Sequence, residues 1–542
     1  MATRTGKVII AKNIKLDKEY KNVLNYTESQ MLTLVQTNQV ASGENFSFLK
    51  PGENIIDSGF SYSDALKCNY IAFQNPAYNN KWFFAFLDEV EYMSNGNARL
   101  HYTIDEFSTW FDYWNPQACL VLREHVTDDS IGANTYPEGL ETGDYIANWY
   151  DELGGFNVEN SKVIIGVTWL PSNAPGKPNT QYYGGNFSGV YYVALDYVNA
   201  KKFVLAYDGL GRGSAIVTMF MAPDGLCPGN DYNADISSKE TNNTGVVSDV
   251  VYNIDFRIIP SNLGGVMLLS DYSLPINTTL NGYTPKNNKL YCYPYNYILL
   301  TNNSGGNAEY HYEDFINNAP IFNIIGTLSP GCSIKMYPEN YKKIPDSAYN
   351  HPGFNDGLMA GKFPICSWQN DSFVNWMTQQ SVNTGFNIIK SGVNLISSIL
   401  GGNNVGEGFF TQQANYLSER YQHALVGPQS SGSTNGGDVT FGRNELNFGI
   451  YKMSIKYEYA SMIDDYFEKY GYQVNKIKIP NQIGRPYWNF VQISPDSNIG
   501  YSTNINQSTP PKSMDIINNI YRKGVTIWHS HDNLGYYNLN NH

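Results

Sequence analysis

The sequence reads KWFFAFLDEVEY at Lys81–Tyr92 and NARLHYTI at Asn97–Ile104, and these two segments decide the fold. The first is apolar and then alternates, and the second places its Leu, Tyr and Ile on one face, which is the pattern of a half-buried strand. Between them lies Asn95-Gly96, a residue pair that favours a tight hairpin turn because both residues tolerate positive φ. The pattern predicts an antiparallel β-hairpin.

Helical signals follow the hairpin and recur near the C-terminus. Asp105 has the character of an N-cap, and Glu106–Trp114 (EFSTWFDYW) is expected to form a short aromatic helix that lies on the sheet. Further along, the pattern predicts a strand at Asn447–Tyr459, then a helix at Ala460–Tyr470 and a strand at 473–479.

The composition favours a mainly β protein with long polar loops. Of the 542 residues 42% are apolar, 14% are aromatic and only 16% are charged, and Tyr occurs 43 times. Aromatic and β-branched residues suit strands, whereas Asn and Gly supply turns. The formal net charge of −13 opposes general adhesion to nucleic acid, since phosphates are held by Lys and Arg. It is compatible with a conduit along which DNA slides.

Residues 126–370 are expected to form a succession of short strands. Four of them are predicted at Lys162–Leu170, Val190–Asp196, Ala215–Ala222 and Ile321–Leu328. Loops rich in Asn, Gly and Pro are predicted at Pro171–Gly185 and Gly225–Thr244. The six cysteines are scattered and the N-terminus has no signal-peptide pattern, so we expect folding in a reducing cytoplasm with thiols packed as small apolar groups.

Residues 371–436 differ from the rest of the chain. From Ser372 to Gly406 the one charged residue is Lys390, and 382–402 can be written as three sevens, VNTGFNI, IKSGVNL and ISSILGG. On a helix their apolar side chains share one side, opposite a nearly neutral polar side. These apolar residues are Val382, Phe386, Ile388, Ile389, Val393, Leu395, Ile396, Ile399 and Leu400. The glycines expected to allow close packing or a hinge are Gly385, Gly392, Gly401, Gly402, Gly436 and Gly437.

Two interpretations of this amphipathic segment stay open. Its content of Asn and Ser is too high for a lone membrane-spanning helix, but several copies can hide their polar sides around a shared lumen. Alternatively, 382–402 is a buried core or interface helix.

Motifs for catalysis are missing from the sequence, which contains no GxxxxGK phosphate loop, no HExxH and no GxSxG. His529, His531 and Asp532 are a candidate metal-binding group, and Asp128-Asp129 and Asp464-Asp465 are candidate carboxylate pairs for glycoside hydrolysis. Histidines with ordinary hydrogen-bond partners and chance pairs among 49 acidic residues are the favoured explanations of these two patterns. We predict no enzymatic activity, no metal and no cofactor.

A series of motifs runs through the first and last parts of the chain. They are NYIAFQNPAYNNKWFFAF at Asn69–Phe86, HYTIDEFSTWF at 101–111, LREHV at 122–126, EGL at 138–140, GDY at 143–145 and GVTIWHSHDNLGYYNL at 524–539. Their order resembles that of the tail knob proteins of phi29-like short-tailed bacteriophages. The likeness is specific, since strand propensity does not demand a run such as FQNxxYxNKWF. It covers residues 60–145 strongly and 445–540 moderately, while the middle cannot be aligned residue by residue.

The resemblance implies a mainly β (α+β) fold in which both chain termini build an antiparallel domain of the tail-tube type. Residues 1–125 and 437–542 would form this tube domain, 126–370 a β-rich outer domain, and 371–436 an inserted apolar loop. The resemblance also implies a homohexameric tube at the virion tail tip, assembled in the host cytoplasm, that contacts an upstream tail or connector protein and conducts phage DNA. The loop is implied to plug the lumen and to breach the host membrane during ejection.

Two rival functions belong to other classes. A receptor-binding protein that adheres to cell-wall glycan is suggested by the Tyr- and Asn-rich loops, and it would bind sugar tightly without an open lumen. A cell-wall hydrolase would lose turnover of purified walls when one carboxylate is changed, and no motif supports it.

Overall fold

The computed structural model describes residues 6–46, 54–75, 78–113, 116–157, 160–171, 174, 182–183, 186–187, 190–242, 244–260, 266–328, 332–344, 352–360, 365–370, 430–435, 445–500 and 511–542. The chain divides into two compact units. The terminal unit comprises Met1–Tyr145, Thr279–Tyr295 and Ile455–His542, and the insert unit comprises Ile146–Thr278 and Asn296–Ser454. Segments 126–145 and 279–295, within the range predicted for the outer domain, lie in the terminal unit. Residues 445–454, within the range predicted for the tube domain, lie in the insert unit.

The described strands and helices are numbered in chain order. The strands are β1 Gly6–Ala11, β2 Asn22–Leu24, β3 Gln39–Phe46, β4 Ile55–Ser61, β5 Tyr70–Asn75, β6 Lys81–Tyr92, β7 Asn97–Ile104, β8 Cys119–Glu124, β9 Tyr145–Asn157, β10 Ser161–Val167, β11 Tyr182–Tyr183, β12 Asn186–Phe187, β13 Tyr191–Leu195, β14 Ile216–Pro223, β15 Asp231–Thr241, β16 Val247–Ile258, β17 Val266–Ser273, β18 Asn296–Thr301, β19 Asn307–Tyr310, β20 Ile321–Thr327, β21 Ser333–Pro338, β22 Leu358–Met359, β23 Ile365–Asn370, β24 Ser430–Asn435, β25 Glu445–Ile455, β26 Tyr472–Lys478, β27 Trp488–Ile493 and β28 Val525–Trp528. The helices are α1 Glu28–Thr37, α2 Tyr62–Ala65, α3 Glu106–Trp110, α4 Tyr197–Gly209, α5 Tyr457–Tyr470 and α6 Pro511–Lys523.

Two sheets build the terminal unit. The first has the strand order β3-β1-β5-β6-β7-β4, and it curls so that its edge strands meet, with the rings of Phe46 and Phe60 5.9 Å apart. The second has the order β2-β28-β27-β8-β26. Because β2 and β8 come from the start of the chain and β26 to β28 from its end, both termini build one sheet. The predicted mainly β fold with a domain made from both termini is confirmed.

The hairpin that opened the sequence analysis forms as predicted. β6 pairs antiparallel with β7, and Tyr92 lies opposite Ala98. Asn95 and Gly96 take φ values of 70° and 79°, the left-handed region that this residue pair tolerates. Helix α3 begins at the expected residue, but it ends at Trp110 and continues as a 3-10 turn.

The insert unit contains one large sheet and several small ones. The large sheet has the order β15-β16-β13-β10-β14-β23-β24, and two four-stranded sheets have the orders β17-β20-β21-β22 and β19-β18-β25-β9. Its core collects the apolar faces of these sheets and of helix α4, including Phe203, Phe220 and Ile324. Burial of such faces contributes about 25 cal/mol per Å² of apolar surface.

Two predictions for this part of the chain were wrong. The predicted loop Gly225–Thr244 contains strand β15, which pairs with β16 along its whole length. The region predicted as a succession of short strands also contains helix α4, which Asp196 caps by accepting from the Asn199 N–H at 2.7 Å. In the described part of the chain, no helix has the length and apolar character needed to cross a membrane.

Candidate functional site

The motifs that carry the family resemblance lie in the terminal unit, where their polar residues join distant parts of the chain. Lys81 is buried, and its ammonium donates to the Thr109 carbonyl oxygen at 2.7 Å and to the Glu28 carboxylate at 3.2 Å. It also lies 3.5 Å from the ring centre of Tyr113, whose hydroxyl donates to Glu28 at 2.8 Å. Burial lowers the pKa of Lys81 to about 8. These contacts fix helices α1 and α3 to strand β6.

A second polar group holds helix α3 on strand β5. The buried Asp105 caps the helix by accepting from the Ser108 N–H at 3.1 Å, and its other oxygen accepts from the hydroxyls of Ser108 at 2.7 Å and Tyr70 at 2.6 Å. Burial raises the pKa of this carboxyl. The aspartate therefore sets both the start of the helix and its position on the sheet.

Three separate parts of the chain meet at Glu138. Its carboxylate, 1% exposed, accepts from the guanidinium of Arg123 and the ammonium of Lys289, which are 10% and 3% exposed. It also accepts from the Gln473 N–H at 2.8 Å. Burial lowers the pKa of Lys289. We call Arg123, Glu138, Lys289 and Gln473 the ion junction.

A glycine allows the end of helix α5 to approach strand β8 closely beside the ion junction. Arg123 donates to the carbonyl oxygen of Gly471 at 2.7 Å, and Gly471 has a φ of 66°. A Cβ at this position would lie 2.2 Å from the carbonyl oxygen of Glu124, so only glycine fits. The end of helix α5 is thereby brought against strand β8.

The candidate carboxylate pairs are anchors for neighbouring segments. Asp464 is fully buried and accepts from the Tyr283 hydroxyl, the Lys286 and Asn287 N–H groups and the Asn287 amide, all within 3.0 Å. Its neighbour Asp465 is exposed. Of the other pair, Asp129 accepts from the Tyr472 hydroxyl at 2.5 Å and the Asn288 N–H at 3.1 Å, whereas Asp128 accepts from the Ser130 N–H. In each pair, at least one carboxylate serves to hold another segment in place.

The candidate metal-binding histidines are engaged by the backbone. His531 accepts from the Lys15 N–H at 3.2 Å through Nε2, and its Nδ1 lies 3.9 Å from Asp532. Both ring nitrogens of His529 lie within 3.3 Å of backbone carbonyl oxygens. Among the described residues, no group of three His, Cys, Asp or Glu side chains is arranged to hold a metal ion.

The inserted apolar segment begins and ends at two paired strands of the insert unit. β23 and β24 are antiparallel neighbours, with Asn370 opposite Ser430. Residues 430–435, predicted as part of the apolar loop 371–436, therefore form a strand. The predicted apolar residues and glycines at 382–402, together with Gly436 and Gly437, lie outside the described residues.

Comparison with known proteins identifies the family. A family model described as "Bacillus phage phi29, Tail knob protein gp9, C-terminal domain" matches residues 269–542, half of the chain. The chain belongs to the phi29 tail knob protein family. A second model, "Caudoviral major tail protein N-terminus", matches residues 4–115 of this tail knob family member, a range within the terminal unit. The predicted family is confirmed.

Whole tail knob proteins match along nearly their full length. The tail knob proteins gp9 of Bacillus phages phi29 and PZA are each 25% identical, and each match covers 98% of this chain and 98% of the relative. The tail knob protein gp12 of bacteriophage C1 shares the fold, with a TM-score of 0.54, 14% identity and coverage of 97% of both chains. Family membership makes this chain a structural component of the virion tail.

Sequence reasoning missed part of the ion junction. Glu138 stands in a motif that carried the resemblance, but Lys289 lies in no predicted element. A lysine that follows two asparagines, Asn287 and Asn288, carries no local sign of burial, so only the tertiary structure reveals its role.

Proposed function

We propose that this tail knob protein assembles into a homohexameric tube at the virion tail tip, after synthesis in the host cytoplasm. The tube conducts phage DNA and joins an upstream tail or connector protein. Residues 371–429 close its channel and then enter the host membrane during ejection. The observation that carries the proposal is the pairing of Asn370 with Ser430, which lets an apolar segment leave and rejoin one sheet at a single point.

The chemistry of the inserted segment supports two environments for it. Its apolar residues, including Phe386, Ile389 and Val393, favour contact with other copies inside a closed channel. The same residues favour the hydrocarbon of a bilayer once the channel opens, at about 25 cal/mol per Å² of apolar surface removed from water. A segment with a single charge between Ser372 and Gly406 meets little electrostatic cost in either place.

The charge of the chain supports a role in DNA passage. A net charge of −13 repels phosphates, so DNA is expected to slide through a channel of this protein without adhering to its wall. The upstream partner is expected to bind the ring and not the DNA.

The tube is tested by negative-stain electron microscopy of the purified recombinant chain. We expect six-fold rings with a central channel. Monomers or trimers without a channel would contradict the proposal and favour a receptor-binding protein.

The inserted segment is tested by excision at its paired strands. Residues 371–429 are removed and Asn370 is joined to Ser430 through Asn-Gly, which forms a tight hairpin turn. We expect the excised chain to form the same rings with the same thermal stability. The intact chain is expected to release dye from phosphatidylglycerol vesicles, and the excised chain is expected to lose this activity. A control variant, Ile389→Asn with Ile396→Asn, keeps the segment length and is expected to lose dye release as well. Undiminished release after excision would disprove the membrane role.

A further inference from the structure

The insert unit contains a polar cleft with aromatic walls. Its volume is about 550 Å³, enough for one or two sugar rings by the usual size of ligand pockets. It lies where the end of strand β9 meets the start of β10, the start of helix α4 and the turn after β14. The residues that line it and are used below are Phe156, Asn160, Lys162, Asp196, Tyr197 and Asp224.

The walls of the cleft are held by contacts within the unit. The hydroxyls of Ser161 and Tyr197 are 2.6 Å apart, which fixes the tyrosine at one side. Phe156 packs against Gly225, where a Cβ would lie 2.4 Å from the ring. Glycine at this position thus lets the phenyl ring lie on the backbone. Both aromatic walls are therefore in place before any ligand arrives.

The carboxylates of the cleft are also fixed in position. Asp196 accepts from the N–H and the side-chain amide of Asn199 at 2.7 and 2.8 Å. Asp224 accepts from Arg257 at 3.1 Å while its side chain stays 43% exposed. Each aspartate has two oxygens with about four lone-pair positions, so acceptor capacity remains for a ligand.

We propose that this cleft binds a neutral saccharide of the bacterial surface. Aromatic rings offer flat apolar faces to the C–H side of a sugar ring, and carboxylates, amides and an ammonium meet its hydroxyls as acceptors and donors. The cleft presents Asp196 and Asp224 against the ammonium of Lys162, and the Arg257 guanidinium beside Asp224 is shared with Asp231. Carboxylates therefore still outnumber cations, which disfavours a phosphorylated or uronic polymer because like charges repel. The cleft lies outside the inserted segment and acts independently of it.

The test measures binding of defined sugars to the full-length chain. Saturation-transfer NMR is run with glucose, galactose, rhamnose and N-acetylglucosamine, and with poly(glycerol phosphate) as the anionic probe. We expect at least one neutral sugar to bind saturably and the anionic probe not to bind. Asn160→Trp, a change at an exposed position that fills the cleft, is expected to weaken sugar binding about tenfold or more, or 1.4 kcal/mol.

Two further variants show whether a loss of binding comes from the cleft or from unfolding and unspecific stacking of sugar on exposed aromatic rings. Phe156→Ala removes one aromatic wall and is expected to weaken binding likewise, whereas Phe354→Ala, at a 40% exposed phenylalanine outside the cleft, is expected to leave it unchanged. The chain with 371–429 excised is expected to bind sugar normally, so this proposal can succeed where the membrane role fails. Equal binding by the Asn160→Trp variant and the native chain, preference for the anionic probe, or no saturable sugar would overturn it.

Discussion

The Arg123 guanidinium and the Glu138 carboxylate form an ion pair whose side chains are 10% and 1% exposed. A buried pair of this kind adds little net stability over an apolar pair of the same shape, because both charges are removed from water. Removing one partner is different, since the other charge remains buried and unpaired. The ion junction is therefore a place where single substitutions act strongly.

Replacing Glu138 by alanine is expected to lower the free energy of unfolding of the chain by about 3–5 kcal/mol. The change leaves two buried cations, Arg123 and Lys289, without their carboxylate. Urea unfolding followed by fluorescence measures the effect, and Glu141→Ala, at a nearby exposed position, is the matched control. Equal midpoints for the two variants would show that the ion junction does not stabilise the fold.

Substitution of each of the two adjacent aspartates of helix α5 is expected to affect the stability of the fold very differently. Asp464→Asn replaces an oxygen that accepts hydrogen bonds by an NH₂ group that donates, so buried donors of segment 279–295 lose an acceptor. We expect a loss of about 1–3 kcal/mol and faster proteolysis near Tyr283. Asp465→Asn changes an exposed side chain whose nearest cation, Lys286, is 3.9 Å away, so little change is expected. Similar cleavage rates in both variants would contradict the anchoring role of Asp464.

Local features of this fold were predictable from the sequence. The Asn95-Gly96 turn and the Asp105 cap depend on residues that are neighbours in the chain, so their chemistry is visible in a short window. The sequence predicts strand β25 with its end at Tyr459, whereas the strand ends at Ile455 because Lys456 is the extended N-cap of helix α5. The prediction of a loop at 225–244 missed strand β15. Its signal is visible in the sequence, since DYNADIS alternates polar Asp and Asn with Tyr, Ala and Ile.

The candidate site was predictable only in part. Glu138 meets Lys289 at a separation of 151 residues and Gln473 at 335. Pairings at such distances depend on how whole sheets close, and no sequence window contains both partners. The family motifs identified the right segments because they include residues such as Lys81 and Arg123, yet the contacts that explain these residues appear only in three dimensions.

Removing the charge of Lys81 is expected to lower the stability of the fold. Lys81→Met keeps the aliphatic length but removes the donor for Thr109 and the cation that pairs with Glu28. We expect a loss of about 1–3 kcal/mol of unfolding free energy, measured by thermal and urea unfolding. Lys67→Met is the control, since Lys67 is 61% exposed in an ion pair with Asp64. Equal stability of both variants would mean that the aromatic surroundings alone hold strand β6 in place.

Acid is expected to destabilise the terminal unit through His125. This histidine is buried and neutral, because its Nδ1 accepts from the Phe490 N–H at 2.7 Å and its Nε2 donates to the Glu468 carbonyl oxygen at 3.1 Å. Burial lowers its pKa from 6.5 to about 3. The unfolded chain therefore binds a proton that the folded chain does not, and the free energy of unfolding falls as the pH drops from about 6.5 to about 3.

The contribution of His125 is isolated by comparing urea midpoints between pH 7 and pH 4 in the native chain and in His125→Gln. The variant is expected to be less stable at pH 7, since it loses the two hydrogen bonds of the imidazole. Its free energy of unfolding is expected to depend less on pH than that of the native chain, by up to ~1.4 kcal/mol per pH unit. His101→Gln, at a partly exposed strand position, is the matched control, because it removes a histidine without changing the buried site. Because carboxylates such as Glu468 titrate in all three chains, only the difference between slopes reports on the buried imidazole. Parallel slopes for the native chain and His125→Gln would show that His125 takes up its proton without opposing the fold.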